Sequence, residues 1–154
     1  MTRRLLYLLL ALMLMNAAPA HAQWRNGRLA IDKVPENTLN FFYFHVRVEF
    51  PYCAYGVEEK DGTIRITNVT FPAIYYADED FLQRGWCDTV GLLGYGHAHR
   101  PNWGCKLSET DEETFLNEKE PYIFLICRSE KRFYWWSRAK VEEIVRRKAQ
   151  GGYP

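Results

Sequence analysis

Gly94 to Asp111 reads GYGHAHRPNWGCKLSETD, a glycine-rich hydrophobic run that passes through two histidines and a Pro-Asn loop into a polar helix start. With His97-Ala98-His99 on a strand, the period of two turns both imidazoles to one face and Ala98 to the other. Ser108 is a good helix N-cap, and Asp111 falls in the first turn behind it, where a carboxylate sits well in the helix dipole. The stretch therefore predicts a strand, a loop and a helix, with two imidazoles and one carboxylate at their junction. Each half has an ordinary structural explanation, since His-x-His is common on strand surfaces and Ser-x-x-Asp is a capping pattern. Their joint order is what points to metal. His97, His99 and Asp111 with a fourth position open is the pattern of a catalytic rather than a structural Zn2+.

Working outward, Thr89 to His99 reads as the strand and Ser108 to about Asn117 as the helix. Pro121 restarts the chain as strand Tyr122 to Cys127, followed by strand Arg132 to Trp136 and a terminal helix Arg138 to Lys148 with a charged outer face. Upstream, Cys53 to Glu58, the turn Glu59-Lys60-Asp61-Gly62 and Thr63 to Phe71 read as a hairpin closed by Pro72. Leu39 to Phe50, LNFFYFHVRVEF, fits a strand or a helix by composition. Only a short polar lead-in is read before it. Ile74 to Trp86 is mixed, with a helical turn expected around Asp78 to Gln83. The order is that of an α+β domain, a central, mostly antiparallel sheet flanked by helices. The Phe41 to Phe44 cluster and Trp135-Trp136 read as core and edge packing, and His45 has no metal-binding context.

Of the 154 residues, 47% are hydrophobic and 16% aromatic, ample for one packed domain. Met1 to Ala22 carries two arginines, an apolar run from Leu5 to Met15 and small residues ending Ala20-His21-Ala22, the pattern of a bacterial-type signal peptide cleaved before Gln23. The expected product is a single domain over 23–154, exported to the periplasm or beyond, with no stable membrane insertion. Loss of Arg3 and Arg4 from the 20 basic residues leaves 18 against 19 acidic ones, and this balance gives no footing for nucleic acid. In an oxidising compartment Cys53, Cys87, Cys105 and Cys127 form two disulfides by any of three pairings; alternatively, some are buried thiols packed as small hydrophobes. The formal sequon Asn68-Val69-Thr70 lies within a strand and receives no functional weight.

His97-x-His99 followed by Ser108-x-x-Asp111 resembles the signature of the JAMM (MPN-plus, JAB-type) zinc metalloproteases. Pro101, Gly104-Cys105, Leu107 and the glycine-rich strand Val90 to Gly96 agree with it. The family also has a glutamate seven residues before a strand glycine, the place held here by Glu49 relative to Gly56. The resemblance runs from about Leu39 to Trp136. It departs in three places: residues 100–107, eight in all, separate His99 from Ser108 where seven is usual, with Arg100 as the extra one; Ala98 stands for Ser or Thr; and Tyr52 stands for a common glycine. Glu58 and Glu59 are alternatives to Glu49, but they fall at the hairpin turn, where charges are ordinarily solvated.

The resemblance implies the MPN/JAB (cytidine-deaminase-like) fold, a zinc on His97, His99 and Asp111, Glu49 as general base and Ser108 as donor to a developing oxyanion. It implies hydrolysis of an amide, peptide or isopeptide, in a protein or peptide substrate. Two other readings stand beside it: a catalytically inactive MPN-type interaction module, and a purely structural disulfide-stabilised domain. Oligomeric state and substrate identity are not legible.

Overall fold

The computed structural model describes residues 22–24, 27–46, 48–77, 82–100, 102–127, 130 and 132–151. The signal stretch read over Met1 to Ala22 lies outside the described residues as far as position 21. In chain order the elements are β1 (Ala22–Trp24), β2 (Gly27–Ile31), α1 (Lys33–His45), β3 (Pro51–Glu58), β4 (Ile64–Thr70), β5 (Ile74–Ala77) and β6 (Leu82–Arg84). They continue with β7 (Leu92–Ala98), α2 (Glu109–Asn117), β8 (Tyr122–Cys127), β9 (Arg132–Ser137) and α3 (Arg138–Ala149). Seven strands make one sheet in the order β1-β2-β4-β3-β7-β8-β9, and β5 pairs with β6 in a separate ribbon. Only β2 with β4 and β7 with β8 run parallel; the other neighbours are antiparallel. The fold is the expected mixed α+β arrangement.

Both faces of the sheet are covered, which explains β8. Its sequence YIFLIC is buried at every position, the pattern of a strand enclosed on two sides. On one face Tyr52, Ala54, Ile64, Ile66, Phe124 and Ile126 pack with Leu39 of α1. On the other, Tyr95 and Ile123 pack with Leu107, Phe115 of α2 and Val141 of α3. Phe115 and Val141 are fully buried, worth about 2–3 kcal/mol each. The crossover between parallel β7 and β8 is α2, so the end of β7 and the start of α2 must meet at one edge of that layer.

Two glycines allow β7 its close neighbours. A Cβ on Gly94 would stand 1.8 Å from the carbonyl oxygen of Tyr122, and one on Gly96 would lie 2.5 Å from the Tyr52 ring.

One open reading is resolved and several expectations are corrected. Leu39 to His45 is helix, and the helix begins at Lys33, with Phe42 stacked on Phe71 at 4.0 Å. The lead-in is not featureless, because β2 joins the sheet parallel to β4. Its period-two signal is too short to read, and only the distant partner makes it a strand. Where a helical turn was expected around Asp78 to Gln83, Leu82 to Arg84 is strand β6, paired with β5, and 78–81 lie outside the described residues. Thr89 to Gly91 is a turn rather than the start of β7, with Gly91 at φ 71°. Within the Phe41 to Phe44 cluster, Phe41 and Phe44 point outward, 59% and 70% exposed.

The cysteines form Cys53–Cys87 and Cys105–Cys127, with Cα atoms 5.8 and 5.2 Å apart. They close 34- and 22-residue separations, each worth roughly 3–4 kcal/mol in the chain-entropy account. Two such bonds suggest an oxidising, extracytoplasmic compartment. Among the described residues no helix is long and apolar enough to cross a membrane.

Candidate metal centre

His97 is the penultimate residue of β7, opposite Pro51 of β3 and Leu125 of β8. His99 lies just past the strand, but its backbone N–H still donates to Ile126 O at 3.0 Å, so the ladder continues and both rings face one side, centroids 5.0 Å apart. Ala98 turns to the opposite core and is fully buried. On the antiparallel neighbour, Ala98 N–H donates to Phe50 O at 3.2 Å, which brings Glu49 to the same end of the sheet. Ligand atoms of Glu49, His97 and His99 all lie within 4.8 Å of one another.

The third direction comes from α2. Ser108 Oγ accepts from Asp111 N at 3.1 Å, while Ser108 N and Oγ both donate to Asp111 Oδ2 at 2.8 Å, a reciprocal capping box. The cap fixes the Asp111 carboxylate over the histidines: Oδ1 is 3.4 Å from His97 Nε2, and Oδ2 is 3.7 Å from His99 Nε2. Tetrahedral ligands each 2.0–2.1 Å from zinc stand about 3.3 Å apart; each separation is near that value but runs to a different Asp111 oxygen, and the group whose ligand atoms all gather within 4.8 Å is Glu49, His97 and His99. With its extra residue, the 100–107 loop still leaves Asp111 facing both histidines. That loop turns through Trp103 N–H to Arg100 O and is tied to β8 by the Cys105–Cys127 bond.

The hydrogen bonds assign the His99 tautomer. Its Nδ1 is 2.7 Å from Gly104 O, and a carbonyl only accepts, so Nδ1 carries the proton. Nε2 is buried without a hydrogen-bond partner among the described residues and faces the Asp111 carboxylate. A lone pair aimed at a carboxylate is repulsive unless a proton or a cation lies between them. Burial lowers the affinity of His99 for a proton, but the Asp111 carboxylate and the Gly104 carbonyl outweigh it and raise its pKa. In His97 burial prevails over Asp111 and lowers it. Asp111, despite burial, is held well below the usual carboxylate range by His99, His97 and the Ser108 bonds. Proton affinity is thus concentrated on His99 and not shared by the two rings.

All five residues singled out in the sequence, Glu49, His97, His99, Ser108 and Asp111, line one cleft of about 530 Å3. Glu58 and Glu59 are elsewhere, Glu58 accepting from Tyr122 OH and Glu59 from Arg65 Nε, each at 2.6 Å. His45 stacks on Phe41 on the outside of α1. Sequence reasoning missed Arg84, which donates to both carboxylate oxygens of Glu118 at 2.8 and 2.7 Å and lies over the Tyr95 ring at the cleft wall. A pairing across 34 positions leaves no local signal. Trp86, 85% exposed, and Trp103 also line the cleft and were not read as site residues. Cys105, Cys127 and Glu130 also cluster, but the two sulfurs are bonded to each other and offer no thiolate.

The chain is similar to solved JAB1/MPN-domain structures. One is a JAB1/MPN domain protein from Archaeoglobus fulgidus, 16% identical, with a TM-score of 0.43 over 76% of this chain and 93% of that one. Another, described as JAMM, a metalloprotease-like zinc site in the proteasome and signalosome, is 16% identical, with a TM-score of 0.46 over 73% of this chain and 89% of the other. No protein-family model matches the chain, and no curated protein matches it. The side chains of the cleft, not this likeness, carry the functional reading.

Proposed function

We propose that the protein is an exported zinc-dependent hydrolase of amide bonds, a peptidase or isopeptidase acting on a protein or peptide. The observation that carries this reading is the convergence of His97, His99 and Asp111, with His99 Nε2 buried, without a hydrogen-bond partner among the described residues and facing the Asp111 carboxylate, beside the carboxylate of Glu49. The donor set fits zinc: two imidazole nitrogens and a carboxylate oxygen, with room in an open cleft for water and substrate. Zinc bound there supplies Lewis acidity and a water acidified to a pKa near 7.

The chain's own residues do the rest. The Glu49 carboxylate accepts the proton of the attacking water and returns it to the leaving nitrogen. Asp111 would hold the zinc with His97 and His99, through a carboxylate that Ser108 orients. Ser108 gives its hydroxyl proton to Asp111 Oδ2 here, and the Ser108 N–H holds the same oxygen. The hydroxyl is therefore free to rotate toward a substrate oxygen without releasing the carboxylate, and to donate there as charge develops. The two disulfides support an extracytoplasmic site of action.

Elemental analysis of the purified protein and hydrolysis of a peptide library test the proposal together. One zinc per chain, with cleavage abolished by chelation and restored by zinc, is expected. Stoichiometric zinc without cleavage of peptide or isopeptide substrates would favour the binding-module reading; absence of bound metal would overturn both.

A further inference from the structure

We infer that the Cys105–Cys127 disulfide is a positioning device for the metal ligand His99, acting through the carbonyl of Gly104. The inference rests on the zinc reading of the centre. His99 is held by a closed circuit. Its backbone N–H donates to Ile126 O at 3.0 Å, and its ring Nδ1 donates to Gly104 O at 2.7 Å. Gly104 is bonded to Cys105, Cys105 to Cys127, and Cys127 follows Ile126 at the end of β8. Strand, ligand, loop and crosslink therefore form one ring.

The Gly104 carbonyl sits on an exposed glycine of the loop. A Cβ built on Gly104 would meet nothing within 4 Å, so among the described residues no neighbour abuts Gly104 on that side. Glycine is also the residue with the greatest backbone freedom. The Trp103 turn and buried Leu107 hold the two ends of the loop, and the crosslink is the covalent restraint nearest the acceptor: Cys127 is fully buried in the central strand, and it anchors the loop at the residue next to Gly104. A metal-bound histidine whose other nitrogen is hydrogen-bonded keeps one tautomer and one ring orientation, and loss of such a partner typically costs 10–100-fold in metal affinity. Cys53–Cys87 ties the other wall of the cleft, near Trp86, and among the described residues no hydrogen bond links its neighbouring carbonyls to a ligand ring.

The test compares zinc affinity, by competition with a chromogenic chelator, and the cobalt(II) absorption spectrum in three proteins: wild type, Cys105→Ala/Cys127→Val and Cys53→Ala/Cys87→Ala. Valine keeps the buried volume at position 127. The first variant should bind zinc about 10–100-fold more weakly, with an altered cobalt spectrum, while the second stays within about threefold of wild type despite losing a comparable crosslink. Equal weakening in both, or wild-type affinity in the first, overturns the inference. As a second route, the Cys53→Ala/Cys87→Ala protein, checked for fold by circular dichroism, is treated with a trialkylphosphine. The remaining disulfide becomes two thiols, with protons from water, and the phosphine becomes its oxide. Affinity should fall on reduction; unchanged affinity, or the absence of any folded form lacking the 105–127 bond, overturns the positioning role. A wild-type protein that takes up no metal would sink the zinc reading itself, a result distinct from any pattern among the variants.

Discussion

Asn at position 111 separates the two tasks of that carboxylate, capping α2 and holding a cation. Both Ser108 bonds end on the same oxygen, Oδ2, at 2.8 Å, so an amide oxygen placed there accepts both and the cap survives. What the cap loses is a negative charge at a helix N-terminus, about 0.3–1 kcal/mol. For a domain of this size that lowers the melting temperature by about 1–4 °C. The other oxygen, 3.4 Å from His97 Nε2, becomes an amide nitrogen with hydrogens aimed at the ligand atom and no lone pair for a metal. Removing one of three protein ligands should weaken zinc at least about 100-fold, about 2.7 kcal/mol. Free zinc at 100 times the wild-type Kd stabilises the wild type by about 2.7 kcal/mol and raises its melting temperature by roughly 5–10 °C; the same zinc stabilises Asp111→Asn by about 0.4 kcal/mol, near 1 °C. Scanning calorimetry with and without zinc measures both numbers. An equal zinc-induced rise in variant and wild type would remove Asp111 from the ligand set. A metal-free variant melting far more than about 4 °C below wild type would refute the account of the cap.

Glu49→Gln should keep zinc by elemental analysis and lose turnover by about two to four orders of magnitude, whereas Glu58→Gln and Glu59→Gln should stay near wild type; zinc lost along with turnover would make Glu49 a ligand instead of the base. Gly94→Ala forces a methyl onto the Tyr122 carbonyl oxygen, 1.8 Å from the ideal Cβ, and should cost about 3 kcal/mol in denaturant unfolding; a loss under about 1 kcal/mol would show that β7 and β8 separate freely. The Tyr122 hydroxyl is pushed up to about 12 by burial, then by its bond to Glu58. Because its folded pKa lies above the unfolded value of about 10, the stability it adds is complete below pH 10 and lost as pH rises toward 12. Ultraviolet titration of Tyr122→Phe against wild type should show the missing phenol titrating near 12, and a missing phenol near 10 would contradict this.

Local pattern accounts for the elements that make the site. Strand period two sets His97 and His99 on one face with Ala98 behind them, and a Ser-x-x-Asp cap starts α2 with Asp111 in its first turn, both readable within 15 positions, 97–111. Glu49 was reachable only through a resemblance, since nothing local distinguishes it from Glu58 or Glu59. Its place follows from the pairing of β3 with β7, a contact between segments over 40 positions apart, Pro51 and His97. The same reason hid β2, whose partner β4 is supplied by the fold, and left Leu39 to Phe50 open between strand and helix until α1 was seen to lay Leu39 on the sheet. Four cysteines read equally as two bonds or as buried thiols, and neither that choice nor the pairing was legible, because both depend on which loop crosses which strand. What the sequence by itself determined is the set of donors, their order and the local geometry that turns them to a common side. Only the tertiary structure decided that Glu49 reaches them, that Arg84 and Trp86 wall the cleft, and that Cys105 bonds Cys127, because each of these is a contact between distant segments with no periodicity to betray it; the turn that brings the Gly104 carbonyl back to His99 is local but irregular, and has no repeating pattern to read either.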